Sequence, residues 1–314
     1  MNGLARLAGK NAARGLGLLF SIWGAVTIVF VATRMIGDPA ALLLPVGAGP
    51  EALARLRAEL GLDQPLGVQY LTYLADAARG DFGQSFQQGQ PAIDIVLERL
   101  PATFALAAAA LVLGLIGGVA GGLTAALSPH RLVRTTMEGL TALGQALPAF
   151  WLAIMLIMIF AVQLRWLPTG GASGPLALIL PAVTLAAPIA ASVARLLRAS
   201  LIETLGEDFV RTARAKGLPS SAVFLRHVLP NSFAPVLSLS GLIAGELLGG
   251  SVIVETVFAW PGLGRLLIQS ISARDFPVVQ AATLVIAILY VATNLIVDLL
   301  QTRLDPRLRD GARA

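Results

Sequence analysis

Cysteine is absent from the 314 residues, and histidine occurs only as His130 and His227. The first absence excludes a disulfide framework and a thiolate metal site. The second leaves too few imidazoles for a dedicated metal cage, so no metal site is expected. Charge is scarce as well. Asp, Glu, Lys and Arg make up 13% of the chain, against about 25% in a soluble domain. No nucleophile–base pair falls in a recognisable motif, so no catalytic residue is named. No G-x-x-x-x-G-K-[ST] loop occurs, so this chain is not expected to bind a nucleotide cofactor. The net charge of +5 is no sign of nucleic acid, because the arginines flank apolar runs. Topology and anionic lipid explain them there.

Apolar residues are abundant, at 56%. They gather into runs at about 15–33, 101–127, 137–164, 176–199, 233–258 and 278–301, each near the roughly 20 residues that span a bilayer. The expectation is an all-α polytopic membrane protein with six transmembrane helices. The first run is longer than the apolar part of a signal peptide, about 7–15 residues, and lacks a small-x-small cleavage site. It reads as a retained helix. The predicted organisation is a tail with helix 1 (1–37), a small extracytoplasmic insert (38–100), a core of helices 2–6 (101–304) and a tail (305–314).

The insert lacks a spanning run. Residues 51–60 read as an amphipathic helix with Leu53, Leu56 and Leu60 on one side, stopped by Gly61. Tyr70, Tyr73 and Leu74 form a second helical face, and residues 80–83, Gly-Asp-Phe-Gly, form a turn. Gly114, Gly118 and Gly122 recur every fourth residue in the second run, as do Gly241, Gly245 and Gly249 in the fifth. That spacing lets helix backbones approach closely in lipid. Pro148, Pro181, Pro188 and Pro235 lie in or near helices and are expected to kink them. Between runs five and six, Leu263, Leu266, Leu267 and Ile271 form one face of a helix expected in the outer interface, with Trp260 as its anchor or the segment as a lid.

With the N-terminus inside, Arg and Lys crowd the cytoplasmic segments, among them Arg6, Arg131, Arg198, Arg211, Arg214 and Arg307. The short outer loops hold only Arg165, Arg265 and Arg274. The positive-inside rule thus places both termini and residues 203–230 in the cytoplasm. Within that stretch, DFVRTARAKGLPSSAVFLRHVLP (208–230) reads as a helix capped by Asp208, with Phe209 and Ala213 on one face. Gly217 makes the corner. A second helix is capped by Ser220 or Ser221, packs through Phe224 and ends near Leu229-Pro230. Such an elbow is a handle that a partner could push.

Ala213, Gly217, Leu229 and Pro230 fall in register with a loop of the inner-membrane permease subunits of ABC importers: E-A-A, three residues, G, nine residues, I-x-L-P. Arg211, Thr212 and His227 replace the leading Glu, the first Ala and the Ile. The run R-T-A-R-A-K-G-L resembles the dipeptide/oligopeptide/nickel branch of that family. So do G-D-P-A at 37–40, L-G-L-D-Q-P-L at 60–66, G-D-x-G-x-S at 80–85, E-T-V-F at 255–258 and D-P-R at 305–307. The resemblance implies the type I ABC importer permease fold in a bacterial inner membrane. It implies a second, homologous permease as partner, an extracytoplasmic solute-binding protein, and two ATP-binding subunits that carry ATP and Mg. Asp208, Phe209, Thr212, Ala213, Gly217, Leu229 and Pro230 would form the ATPase-coupling loop. Small peptides are the leading substrates, with nickel complexes, glutathione or another small solute as alternatives.

Charges inside membrane segments are costly and functional by default. Glu246, midway along the fifth run, is the candidate pathway residue or buried hydrogen-bonding partner. Asp298 is expected to pair with Arg303. Glu138 is placed at an interface, Asn294 is a candidate for a bond between helices, and Glu203 and Glu207 flank the elbow. An ion-driven secondary transporter is the rival reading. It requires paired acidic residues at mid-membrane, and Glu246 stands alone.

Overall fold

The computed structural model describes residues 17, 20–35, 40, 41, 44 and 49–304, apart from the side chains of 248, 250 and 298–304. Among the described residues the chain is helical, with one isolated antiparallel bridge between Gln84 and Pro91. Four helices are long and apolar enough to cross a membrane: Ala92–Leu127, Pro175–Gly206, Ser220–Leu247 and Phe276–Val297. A fifth crossing is available if the bent pair Arg131–Ala146 and Ala149–Gln163 serves as one, and a shorter apolar helix, Phe20–Met35, precedes them. The chain divides into two compact units, Met1–Pro101 with Gly262–Val291 and Ala102–Pro261 with Ala292–Ala314.

The first unit holds α1 (Phe20–Met35), α2 (Pro50–Glu59), α3 (Leu66–Arg79), the start of α4 (Ala92–Leu127), α12 (Leu263–Ser272) and most of α13 (Phe276–Leu304). Gly61 and Gly80 close α2 and α3 in the left-handed region, as their sequence positions predict. Leu53 and Leu56 are half-buried while Leu60 is exposed. Tyr73 stacks on Phe30 with ring centroids 5.5 Å apart, and Tyr70 shares a 2.6 Å hydroxyl bond with Thr27. Leu263 and Leu266 are buried in a core with Phe82, Ile95, Val96 and Val278. The expected apolar face of α12 is therefore divided: Leu263 and Leu266 are covered by protein, and Ile271 is exposed.

A loop at 80–91 closes this core. Ser85 Oγ donates to Asp275 Oδ2 at 2.5 Å, and the Phe86 N–H donates to Asp275 Oδ1 at 3.0 Å. The Gln88 N–H donates to Ser85 Oγ, and the Ser85 N–H donates to the Gln90 carbonyl. Asp275 is buried, and both its oxygens accept, which satisfies a carboxylate that would otherwise be costly to bury.

The second unit holds the rest of α4, then α5 (Arg131–Ala146), α6 (Ala149–Leu156) running into a π-helical turn (Ile157–Gln163), and α7 (Ile179–Gly206). These are followed by α8 (Asp208–Ala215), α9 (Ser220–Val223), α10 (Leu229–Gly250) and α11 (Val252–Val257). The single third helix expected over 137–164 is corrected: α5 and the following helix meet at 109°. Pro148 lacks an N–H and forces its predecessor out of the helical region, and Leu147 accordingly sits at φ −78°, ψ 124°. Pro188 and Pro235 lie within unbroken α7 and α10.

The first glycine stripe packs as its spacing demands. A Cβ on Gly118 would lie 2.6 Å from the Val193 side chain and 2.9 Å from the Ala190 carbonyl oxygen. Gly114 and Gly122 meet Ile189 and Ala194 of α7 in the same way. On α10 a Cβ at Gly241 would strike Val297, and one at Gly245 would strike the Asn294 amide. Gly249 has open space around it, so its expected packing role is corrected.

Candidate functional site: the elbow at 203–230

Helix α7 ends at Gly206, and Glu207 turns the chain at φ −67°, ψ 149°. Asp208 is the first residue of α8, and Glu207 occupies the cap position with no side-chain cap bond. The expectation that Asp208 caps is thus corrected. Its carboxylate still sits at the positive end of the helix dipole and pairs with Arg211 at 3.4 Å. Thr212 Oγ1 donates to the Asp208 carbonyl oxygen at 2.9 Å. The packed face is Val210 and Ala213, which are buried, while Phe209 is 41% exposed. The Phe209/Ala213 face is corrected accordingly: a helix with so short a contact seats small side chains and leaves the large ring outside.

Gly217 has φ +76°, the left-handed conformation its sequence position predicts. Its N–H bonds the Arg214 carbonyl at 3.0 Å, and the Leu218 N–H bonds the Ala213 carbonyl at 3.4 Å. This pair of bonds is a Schellman closure, which satisfies carbonyls that the helix end would leave free. Pro219 then occupies the cap position of α9, in place of the serines. Val223 and Val228 are buried, and Phe224 is only partly so.

The second helix does not end at Leu229-Pro230. A π-helical segment, Phe224–Val228, carries α9 into α10, and Ser220–Leu247 runs as one span. Pro230 supplies no N–H, and the widened turn before it accommodates the missing bond. Ser232 Oγ ties α10 to its own Val228 carbonyl at 2.9 Å and to the Ser200 carbonyl of α7 at 3.4 Å. The elbow is therefore joined to two spans, α7 directly and α10 without a break.

Its outer rim mixes charge with apolar side chains. Glu203, Glu207, Arg211, Arg214 and Lys216 are exposed. So are Leu218 and Leu225, at 40% and 60%.

Outside the elbow, Glu246 is exposed and lies four residues before the end of α10 at Gly250. Because α10 begins at Leu229, Glu246 is about 25 Å along the helix, in its last turns. Both its mid-span placement and the buried-partner reading are corrected. A second buried carboxylate, besides Asp275, is Glu255, fully enclosed and accepting from Thr103 Oγ1 at 3.1 Å and Ser251 Oγ at 3.0 Å. Trp260 is buried rather than an interface anchor, and its Nε1–H donates to the Ala102 carbonyl oxygen at 2.9 Å. Glu138 pairs with Arg198 at 2.5 Å, an ion pair that sequence spacing did not reveal. Asp298 with Arg303, and the G-D-P-A and D-P-R motifs except Ala40, lie outside the described residues and side chains. Among the described residues no three His, Asp or Glu side chains gather as metal ligands.

Residues 117–310 match the family described as binding-protein-dependent transport system inner membrane component, and residues 13–107 match its N-terminal family. The chain belongs to this family. It is the membrane permease subunit of an ABC importer. The glutathione transport system permease protein GsiC of Escherichia coli (strain K12) is 42% identical over 301 residues, covering 94% of this chain and 97% of the relative. GsiC of Shigella dysenteriae serotype 1 matches to the same extent. Among solved structures, an amino acid ABC transporter crystallised with histidines superposes with TM-score 0.53 at 20% identity, over 68% of this chain and 94% of the other. An inward-facing MetNI methionine ABC transporter gives 0.56 at 17%, over 67% and 96%. These structures establish a shared permease fold. The ion-driven reading is set aside by the family, and the subunit is a transport component rather than an enzyme.

Proposed function

We propose that this permease subunit imports small peptides, with glutathione the first solute to test. The observation that carries the reading is the 42% identity to a glutathione permease over nearly the whole length of both chains. Glutathione is itself a tripeptide, so the narrower substrate lies within the broader class. The subunit works with a second, homologous permease, two ATP-binding subunits that hold ATP and Mg, and an extracytoplasmic solute-binding protein. It sits in the bacterial inner membrane with six spans and both termini in the cytoplasm.

In this reading the elbow is the ATPase-coupling loop. Asp208, Phe209 and Thr212 present its outer surface, Ala213 seats it, and Gly217 fixes the corner. Leu229 and Pro230 carry the motion into α10. Closure of the ATP-binding subunits moves the elbow, and the spans exchange inward-open for outward-open forms. Moving such an equilibrium from 1:99 to 99:1 takes about 5.5 kcal/mol of differential binding, which the nucleotide supplies only if the elbow is stiff. The Schellman closure and the buried Val210 support that stiffness.

The test is uptake of labelled glutathione, a labelled dipeptide and nickel in cells with and without the gene. Loss of glutathione or dipeptide uptake supports the reading. Loss of nickel uptake alone keeps the importer and overturns the substrate.

A further inference from the structure

Helix α3 of the insert divides its circumference three ways. At about 3.6 residues per turn, Tyr70, Tyr73, Leu74 and Ala77 share one side. That side is half-buried, and Tyr73 and Ala77 pack against the core around Phe82 and Ile95. Gln69, Thr72, Asp76 and Arg79 form a second, polar side. The Gln69 side-chain amide donates to the Leu62 and Gln64 carbonyl oxygens at 3.1 and 2.7 Å, and Arg79 reaches Asp76 at 4.0 Å. The third side is apolar and open. Val68 and Leu71 are 45% and 67% exposed, and Ala75 and Ala78 are exposed beside them. A helix with water on both of its free sides carries polar residues on both. This helix carries them on one.

The depth of α3 indicates what lies against the third side. Tyr70 shares its hydroxyl bond with Thr27 of α1, and Tyr73 stacks on Phe30. Both partners lie inside the apolar run that ends at Thr33. Phe30 and Thr27 are three and six residues short of that end, about 4.5 and 9 Å along the axis. An amphipathic helix lying in a membrane interface buries its apolar face about 5–10 Å into the headgroup and acyl boundary. The insert is moored to α1 at that depth. On α1 itself Ile28 and Val31 are 69% and 48% exposed, so apolar side chains of the apolar helix also stand open near the mooring.

We propose that the Val68, Leu71, Ala75 and Ala78 face of α3 rests in the outer leaflet against phospholipid acyl chains. Thr72, Asp76 and Arg79 then point to headgroups and water. The face carries no charge, so it fits acyl chains rather than an anionic headgroup. The inference rests on the reading of α1 as a span and goes beyond it: the insert is anchored in the bilayer rather than standing wholly outside it.

The chain has no cysteine, so an introduced thiol reports a single position. The experiment places a nitroxide label on Leu71→Cys, Ala75→Cys, Thr72→Cys and Ile28→Cys, one at a time, in the full chain in phosphatidylcholine nanodiscs. Collisions with oxygen, which concentrates among acyl chains, are compared with collisions with a water-soluble paramagnetic chelate. Labels on Leu71→Cys and Ala75→Cys should favour oxygen, and the label on Thr72→Cys should favour the chelate, a reversal between adjacent residues. The label on Ile28→Cys should favour oxygen and reports the span separately. If Leu71→Cys is as open to the chelate as Thr72→Cys while Ile28→Cys still favours oxygen, the proposal is overturned and the span stands. If all four favour the chelate, the span reading falls with it. Low collision with both reagents at Leu71→Cys would also overturn the proposal, because protein then covers the face. The same holds if oxygen access is lost on co-assembly with a second permease or on addition of the solute-binding protein. Oxygen access retained in the assembled importer would support the lipid contact.

Discussion

Helices α8 and α12 are both short and amphipathic, and both connect to long apolar helices, yet they dispose of their apolar side chains differently. In α12, Leu263 and Leu266 are sealed into a core with Phe82, Ile95 and Val278. In α8 only Val210 and Ala213 turn inward, and Phe209 stands out among charges, with Leu218 and Leu225 also exposed beyond the corner. An amphipathic pattern reports that an apolar face exists. It does not report whether the same chain covers that face. The elbow's rim is left uncovered by its own chain, whereas the leucines of α12 are covered within their own unit.

The largest effect should therefore fall on α12. Leu263→Ala empties a fully buried site and should cost about 2–5 kcal/mol of stability, read as a large loss of thermal stability of the purified chain. Unchanged stability would mean that the leucine is not covered, and the contrast with the elbow would collapse. The anchor of the neighbouring loop comes next. Asp275→Ala leaves the Ser85 hydroxyl and the Phe86 N–H without their acceptor, at about 1–3 kcal/mol for the buried Ser85 hydroxyl and less for the part-buried Phe86 N–H. Asp275→Asn, which keeps one acceptor oxygen, should recover part of the loss.

Gly217→Val is intermediate in energy and greater in consequence. A β-branched residue at φ +76° costs roughly 1–2 kcal/mol. Nothing nearby obstructs a Cβ there, so the harm comes from the backbone alone. The chain should insert and accumulate normally while uptake falls. Wild-type uptake in this variant would remove the coupling role from the corner.

This corner was legible in the sequence because its cause is local: one residue, one forbidden dihedral, two neighbouring carbonyls to satisfy. The glycine stripe of α4 was legible for a similar reason, since a four-residue period leaves few alternatives. The carboxylates were not. Asp275 finds Ser85 190 residues away, and Glu255 finds Thr103 152 residues away. No local pattern marks such pairs, and Glu246 stands out only because it lies nearer the middle of the apolar run that also holds Glu255. The 109° bend was hidden differently. Pro148 signalled a kink, but apolar residues on both sides made one span of two helices.

A pH test probes the insert in the same terms. The Tyr73 hydroxyl is buried with no partner among the described residues. Burial, with a smaller contribution from Tyr70, pushes its pKa up from 10.0 to about 12. The folded state thus favours the neutral phenol. Its stabilising effect is complete below pH 10 and disappears as pH rises from 10 towards 12. Tyr73→Phe keeps the stack on Phe30 and removes the unsatisfied hydroxyl. It should match or slightly exceed wild-type stability near pH 7 and lose less of it at alkaline pH. An identical alkaline decline in both proteins would show that the phenol is solvated.

The smallest stability effect should come from Phe209→Ala, and it is the sharpest test of the comparison. A 41% exposed ring outside the packed face of α8 should change stability by no more than about 0.5 kcal/mol. If the rim exists for an ATP-binding subunit, the same truncation removes a large apolar anchor from an interface, where aromatic side chains carry a disproportionate share of the binding energy. Stability and coupling then separate: an unchanged melting profile, with reduced co-purification of the ATPase and reduced uptake. Leu263→Ala should do the reverse, lowering stability first and uptake only in proportion to the protein lost. If Phe209→Ala instead destabilises the isolated chain, the ring is covered by the permease itself, and α8 is finished internally just as α12 is.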